Sequence, residues 1–235
     1  HVGTSRYTGG SYPSPNQAQR EPAHQSMLIS YSHNFIFIHI VKAAGSSVTA
    51  TLTPYANRPE TRLPNPIIRK LGLDIRLPGK YREFPVHIWA ARLRDRVPAS
   101  FFDNAFKFTF VRNPWDWQVS LYHWYLDHPE HLLHDKISKM TFEDYARWRA
   151  DTPPLYYQRN YIVDEKDDVL VDYIGRFETL VDDFSEVCRR IGVKNELQQV
   201  NVTRNRAGRD YRTYYTDTTA ELIGRTYERD IMFFN

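Results

Sequence analysis

Cysteine is almost absent from this chain of 235 residues, with Cys188 the only one. One thiol cannot close an intramolecular disulfide or assemble a cysteine-based zinc site, so a reducing, cytoplasmic setting is expected. Also missing is any apolar run of about 18 residues, the length a membrane-spanning helix needs, and no signal-peptide pattern is visible. The alternative setting is a luminal catalytic fragment cut from its anchor. Charge of one sign is scarce too: Lys and Arg number 31 against 28 Asp and Glu, leaving a formal excess of only +3. That gives no ground for a nucleic-acid partner, but it suits an anionic ligand held by a few local cations.

What is present suffices for a single packed core. Hydrophobic residues make up 41% of the chain, and nothing in the composition requires a second domain. Residues 1–26 are rich in Gly, Ser, Pro, Gln and Arg with few aliphatic residues, and are expected to be a disordered arm or a cloning remnant. Residues 27–235 read as one domain, with Met27-Leu28-Ile29-Ser30 leading directly into the first expected strand at Phe35.

The segment from Phe35 to Thr51, F-I-F-I-H-I-V-K-A-A-G-S-S-V-T-A-T, reads as strand, loop and helix. Phe35 to Val41 is a short aromatic and branched run of the kind that forms buried parallel strands. Lys42 then brings a cation and Gly45 a flexible backbone, and Ser46 or Ser47 is expected to cap the helix. Helix starts bind anions, because their first N–H groups lack intrahelical partners and carry the positive end of the dipole. A Walker A loop places its lysine after the second glycine and a magnesium-binding hydroxyl after the lysine. Here Lys42 precedes Gly45, which weakens an ATPase or GTPase reading.

A second strand, Ala105 to Arg112, runs into N-P-W-D, with Pro114 suited to a first helical turn. Trp115 to Asp127 continues as a helix with Val119, Tyr122 and Leu126 on its buried face. Ser120 lies eight residues past Arg112, so its hydroxyl and the Arg112 guanidinium are spaced to flank one phosphate. Between the two segments, His87 opens a short amphipathic helix stopped by Pro98. His123, His128, His131 and His134 are read as solvated, because Pro129 interrupts their spacing and no H-E-x-x-H is present. Met140 to Ala150 is expected to be a helix capped by Thr141, Val169 to Phe177 a third strand, the following segment a helix ending at Gly192, and Thr216 to Phe234 a closing helix. Pro54 to Lys80 reads as a long connection. Arg176 and Glu178 sit where parallel-sheet sites lie, at a strand's carboxyl end, with an ion pair between them the structural alternative.

These motifs together resemble those of sulfotransferases that use 3'-phosphoadenosine 5'-phosphosulfate (PAPS), of the carbohydrate and bacterial type. V-K-A-A-G-S-S resembles the family's 5'-phosphosulfate loop, H-x-x-A-x-x-L its histidine motif through His87, Ala90 and Leu93, and F-x-F-V-R-N-P-W-D-x-x-V-S-x-Y its 3'-phosphate motif. D-Y-I-G-R-F-E-T-L also resembles a recurring family segment, and N-V-T-R-N-R-A-G-R-D-Y-R-T-Y-Y its late loop. The resemblance spans about Phe35 to Phe234. It implies an α/β, P-loop-like three-layer fold with a central parallel sheet flanked by helices, and transfer of a sulfuryl group from PAPS to a hydroxyl or amine of a glycan or small-molecule acceptor, with no metal. It further implies His87 as the base and Lys42 at the leaving oxygen. Ala44, Gly45, Ser46 and Ser47 would hold the 5'-phosphate, with Arg112 and Ser120 at the 3'-phosphate and Arg204, Arg206 or Arg209 adding cations. Two positions depart from the family pattern: Val41 stands for its proline and Ala43 for its frequent threonine. The rival readings are an ATP-dependent phosphotransferase and a noncatalytic nucleotide- or glycan-binding module. Aromatic and arginine residues at 54–86 and 124–160 are candidates to stack on the acceptor.

Overall fold

In the computed structural model, which describes residues 27–56, 84–151, 157–194, 197 and 208–235, four strands form one sheet: β1 (Ile29–Ser30), β2 (Phe35–Ile38), β3 (Phe106–Val111) and β4 (Tyr173–Arg176), side by side in chain order. The turn between β1 and β2 passes through Asn34 at φ 51°, a left-handed conformation that asparagine tolerates, and these two strands are antiparallel. The pairs β2–β3 and β3–β4 are parallel. The parallel core of the sheet thus gains a short antiparallel edge strand.

Nine α-helices are described among these residues: α1 (Gly45–Leu52), α2 (Ala90–Arg94), α3 (Ala99–Asn104), α4 (Pro114–Asp127), α5 (His134–Ile137), α6 (Phe142–Asp151), α7 (Leu180–Ile191), α8 (Asp217–Thr226) and α9 (Glu228–Phe234). Side chains of a strand alternate between faces, and β2 divides accordingly. Ile36, Ile38 and the following Ile40 pack with Ala90, Leu93 and Phe102 of α2 and α3. Phe35 and Phe37 face the other way, with Phe108, Phe110, Val48 and Leu52 of α1, and Phe184 and Val187 of α7. These two apolar layers make an α/β three-layer arrangement. A third cluster joins Trp117, Val119 and Tyr122 of α4 to Tyr145 of α6, Ile223 of α8, and Val41 and Tyr227.

Local chemistry places the helix ends. The Asn113 side chain accepts hydrogen bonds from the N–H groups of Trp115 and Asp116, with Pro114 at the first helical position. Thr141 and Asp144 cap α6 reciprocally, Thr216 and Thr219 form a capping box for α8, and Gly192 closes α7 at φ 69°.

Three expectations are corrected. The strand expected over Phe35 to Val41, β2, stops at Ile38 where its ladder with β3 ends, and the chain turns, Ala43 N bonding back to the Ile40 carbonyl with Lys42 and Ala44 at left-handed φ of 59° and 65°. The third strand is confined to Tyr173–Arg176. Upstream of it, the Asp164 carboxylate accepts from the N–H groups of Lys166 and Asp168, making a turn that pairs Val163 with Val169. The closing helix breaks into α8 and α9 at Tyr227, whose fully buried ring meets Trp117 and Tyr157 edge-on.

Candidate active site at the carboxyl ends of the parallel strands

Register alone brings the two sequence motifs together. Ile38 pairs with Thr109 and Val111 with Arg176, so the chain leaves β2, β3 and β4 at one level, with Lys42, Arg112 and Phe177 a few residues or less beyond. Sites of parallel sheets form at this edge.

The loop after β2 is tied to the second motif by its carbonyl groups. Trp117 Nε1 donates to the Val41 carbonyl at 2.8 Å, and Arg112 Nη1 donates to the Lys42 carbonyl at 3.1 Å. Removing a donor to a buried carbonyl costs roughly 1–3 kcal/mol, so the two motifs stabilise each other's geometry. Helix α1 starts at Gly45 with Ala44 as its N-cap and no side-chain cap bond. Ser46 and Ser47 therefore lie inside the first turn, correcting the expectation that one of them caps it. A helix start without a side-chain cap, with Lys42 close by, suits an anion.

His39 was not singled out from the sequence, although a polar residue in the F-I-F-I-H-I run was the available signal. Its ring stacks on Phe37 with centroids 5.5 Å apart and meets the His87 ring at 4.5 Å. Gly45 is required opposite it: a Cβ at that position would lie 1.5 Å from His39 Nε2. Burial, then the neighbouring His87, then Lys42 hold the His39 pKa well below its ordinary 6.5, so the ring is neutral. Its Nδ1 is buried with no hydrogen-bond partner among the described residues.

His87 lies in the turn ahead of α2 rather than on the helix itself. Its Nδ1 is 2.9 Å from the His39 carbonyl. A carbonyl oxygen only accepts, so Nδ1 carries the hydrogen, and in the neutral ring the lone pair sits on Nε2. This is the tautomer a general base needs.

Arg112 is buried where β3 ends. Its Nε donates to Asp116 at 2.7 Å, and its guanidinium lies 3.9 Å over the Phe177 ring. The Gln158 side chain grips its backbone twice: Oε1 accepts from Arg112 N at 2.9 Å, and Nε2 donates to the Arg112 carbonyl at 2.8 Å. Ser120 is buried one turn beyond Asp116 on the same face of α4. Asp116, Phe177 and Gln158 were not anticipated at this position. Glu178 caps the motif by accepting from Asn113 N at 2.7 Å, whereas the Arg176 guanidinium donates to the Phe234 carbonyl.

Residues 25–235 match the family model described as Sulfotransferase family. The chain belongs to this family. A relative, an uncharacterised protein of Archaeoglobus fulgidus, is 34% identical over 114 residues, which cover 45% of this chain and 82% of that protein. Among solved structures, mouse sulfotransferase SULT7A1 complexed with PAP is similar at a TM-score of 0.43 and 15% identity, over 86% of this chain and 85% of that one.

In this sulfotransferase-family chain the late basic loop is described only from Gly208 onward, so Arg204 and Arg206 lie outside the described residues, as does the connection at 57–83. Arg209 is exposed and follows Gly208, which has φ 75°. The next turn docks on α4: Tyr215 Oη donates to the Trp115 carbonyl at 2.9 Å, and Tyr214 Oη lies 2.9 Å from His123 Nε2. Arg212, which was passed over, is held in its charged form first by Asp210, with Tyr211 and Asp116 adding weaker support.

Of the four histidines expected to be solvated, His123 is buried, whereas His128, His131 and His134 stay partly exposed. His123 is buried against Tyr214, His128 stacks on Trp124 at 4.4 Å, and the Nδ1 atoms of His128 and His134 meet the carbonyls of Trp124 and Tyr125. Among the described residues no helix is long and apolar enough to cross a membrane.

Proposed function

We propose that the chain transfers a sulfuryl group from PAPS to a hydroxyl or amine of a carbohydrate or small-molecule acceptor. The observation that supports this reading most is the joining of the two motifs through the Arg112 bond to the Lys42 carbonyl, which holds together the residues proposed for the two phosphates. The first turn of α1, from Gly45 to Ser47, faces the 5'-phosphate with N–H groups and hydroxyls. Arg112 and Ser120 take the 3'-phosphate, and Arg209 adds charge to that side.

Each group has a task in an in-line displacement. The acceptor atom forms its bond to sulfur as the bond from sulfur to the 5'-phosphate oxygen breaks, and the electron pair departs on that oxygen. His87 Nε2 receives the acceptor proton, its lone pair directed by the Nδ1 bond to the His39 carbonyl. The Lys42 ammonium meets the charge developing on the departing oxygen. Partly exposed rings around Trp124 and Tyr125 offer stacking surfaces for an acceptor.

The test is transfer of label from radiolabelled PAPS across a panel of glycans and small hydroxyl and amine acceptors. His87→Ala is expected to lower turnover by roughly 10²–10⁴-fold, and Lys42→Ala by about 10²–10³-fold, with little change in affinity for the product nucleotide. Arg112→Ala is expected to lose nucleotide affinity first. Equal affinity losses in all three variants would refute this division of roles, and absence of transfer to every acceptor, with nucleotide binding intact, would favour a noncatalytic binding module.

A further inference from the structure

Arg112 stands just past the last ladder pair of β3, Val111 with Arg176, so neighbouring strand backbone no longer dictates its course. The Gln158 carboxamide takes over there. It presents one acceptor and one donor to the N–H and carbonyl of Arg112, as an adjacent strand would. Gln158 is itself held from the far end of the chain: Asp230 Oδ2 accepts from Gln158 N at 2.8 Å, and Oδ1 from Arg159 N at 3.1 Å. Gln158 and Asp230 are both fully buried. Burial pushes the Asp230 carboxyl up to about 6 despite the two backbone hydrogen bonds that favour its charge. A carboxylate retained in such a place, serving two N–H groups, acts as a clamp on the 158–159 backbone.

We infer that Gln158 and Asp230 are positioning residues that set the Arg112 guanidinium for the 3'-phosphate, so that α9 governs selectivity for nucleotides carrying that group. The backbone of Arg112 is set by Gln158, and its side chain by Asp116, the Lys42 carbonyl and the Phe177 ring. With the side chain tethered at three points, a shift of its own backbone tilts the guanidinium against those tethers. The Arg112 bond to the Lys42 carbonyl links these contacts to the loop ahead of α1, but it reaches the 5'-phosphate position only through that loop, so the shift falls mainly on the 3'-phosphate side.

This inference rests on the 3'-phosphate role proposed for Arg112, and the test separates the two. Affinities for adenosine 3',5'-bisphosphate and adenosine 5'-monophosphate, which differ only in the 3'-phosphate, are measured by calorimetry for the natural chain and for Gln158→Leu, Gln158→Glu and Asp230→Asn. Gln158→Glu keeps the acceptor but sets an oxygen against the Arg112 carbonyl. Asp230→Asn keeps shape and one acceptor oxygen. The natural chain is expected to prefer the bisphosphate, and each folded variant to lose that preference by about tenfold or more while holding the monophosphate within about twofold. Variants that fold and keep the full preference would overturn the inference, as would equal loss for both ligands or failure of all three variants to fold, each of which marks a purely structural role. A natural chain that does not distinguish the two nucleotides would overturn the reading of Arg112 itself.

Discussion

Glycine at position 45 is demanded by a single close approach. The His39 imidazole is confined between the Phe37 ring and the His87 ring, and a methyl group at position 45 would fall on its Nε2. Overpacking of this kind costs about 1–3 kcal/mol, and here the strain falls on the turn proposed to hold the 5'-phosphate. Gly45→Ala is therefore expected to weaken binding of adenosine 3',5'-bisphosphate by roughly tenfold or more with the far-ultraviolet circular dichroism unchanged. Binding equal to that of the natural chain would show that the His39 ring moves aside freely. Residues with a local signature were readable at this scale: Lys42 and Gly45 from their order, Arg112 and Ser120 from a spacing of eight. Gln158, Phe177 and Asp230 were not, because Gln158 and Phe177 meet Arg112, and Asp230 meets Gln158, from distant parts of the chain through packing that no local pattern encodes.

Among the elements, α4 does most to assemble the edge. It starts on Asn113 and Pro114, supplies Asp116 to Arg112, sends Trp117 to the Val41 carbonyl, and carries Ser120 one turn further. Its start was legible because Pro at the first helical position has a fixed physical role, whereas the Asn113 cap was not read. The start of α1 was not: a serine pair after glycine reads as a cap, yet the left-handed φ of Lys42 and Ala44 moves the helix start ahead of both serines. Similarly, the single helix expected at the C-terminus breaks at Tyr227, where burial of one ring overrides helical periodicity. The cap on α4 can be tested directly. Asn113→Ala is expected to lower stability by about 1 kcal/mol in urea unfolding, while Asn113→Asp, which keeps an acceptor at the helix start, stays close to the natural value. Equal losses in both would mean that the Asn113 side chain acts through something other than its hydrogen bonds to Trp115 and Asp116.

At the scale of the whole molecule, a three-layer α/β fold delivers motifs separated by some seventy residues to one edge because β2 and β3 are parallel neighbours in register. Individual strands and helices were legible from their periodicity and the fold class from the resemblance of the motifs to the family, and the Val41 and Ala43 departures leave that fold intact: both side chains are buried in apolar clusters. What separates the proposed sulfuryl transfer from phosphoryl transfer on a similar strand, loop and helix is the 3'-phosphate position proposed at Arg112, together with a lysine ahead of the glycine. The most direct measurement is calorimetric titration of the natural chain with adenosine 3',5'-bisphosphate and, separately, with ATP and magnesium. The account predicts tight binding of the bisphosphate without added metal and weak or undetectable binding of ATP. Tight, magnesium-dependent binding of ATP, with none of the bisphosphate, would contradict it.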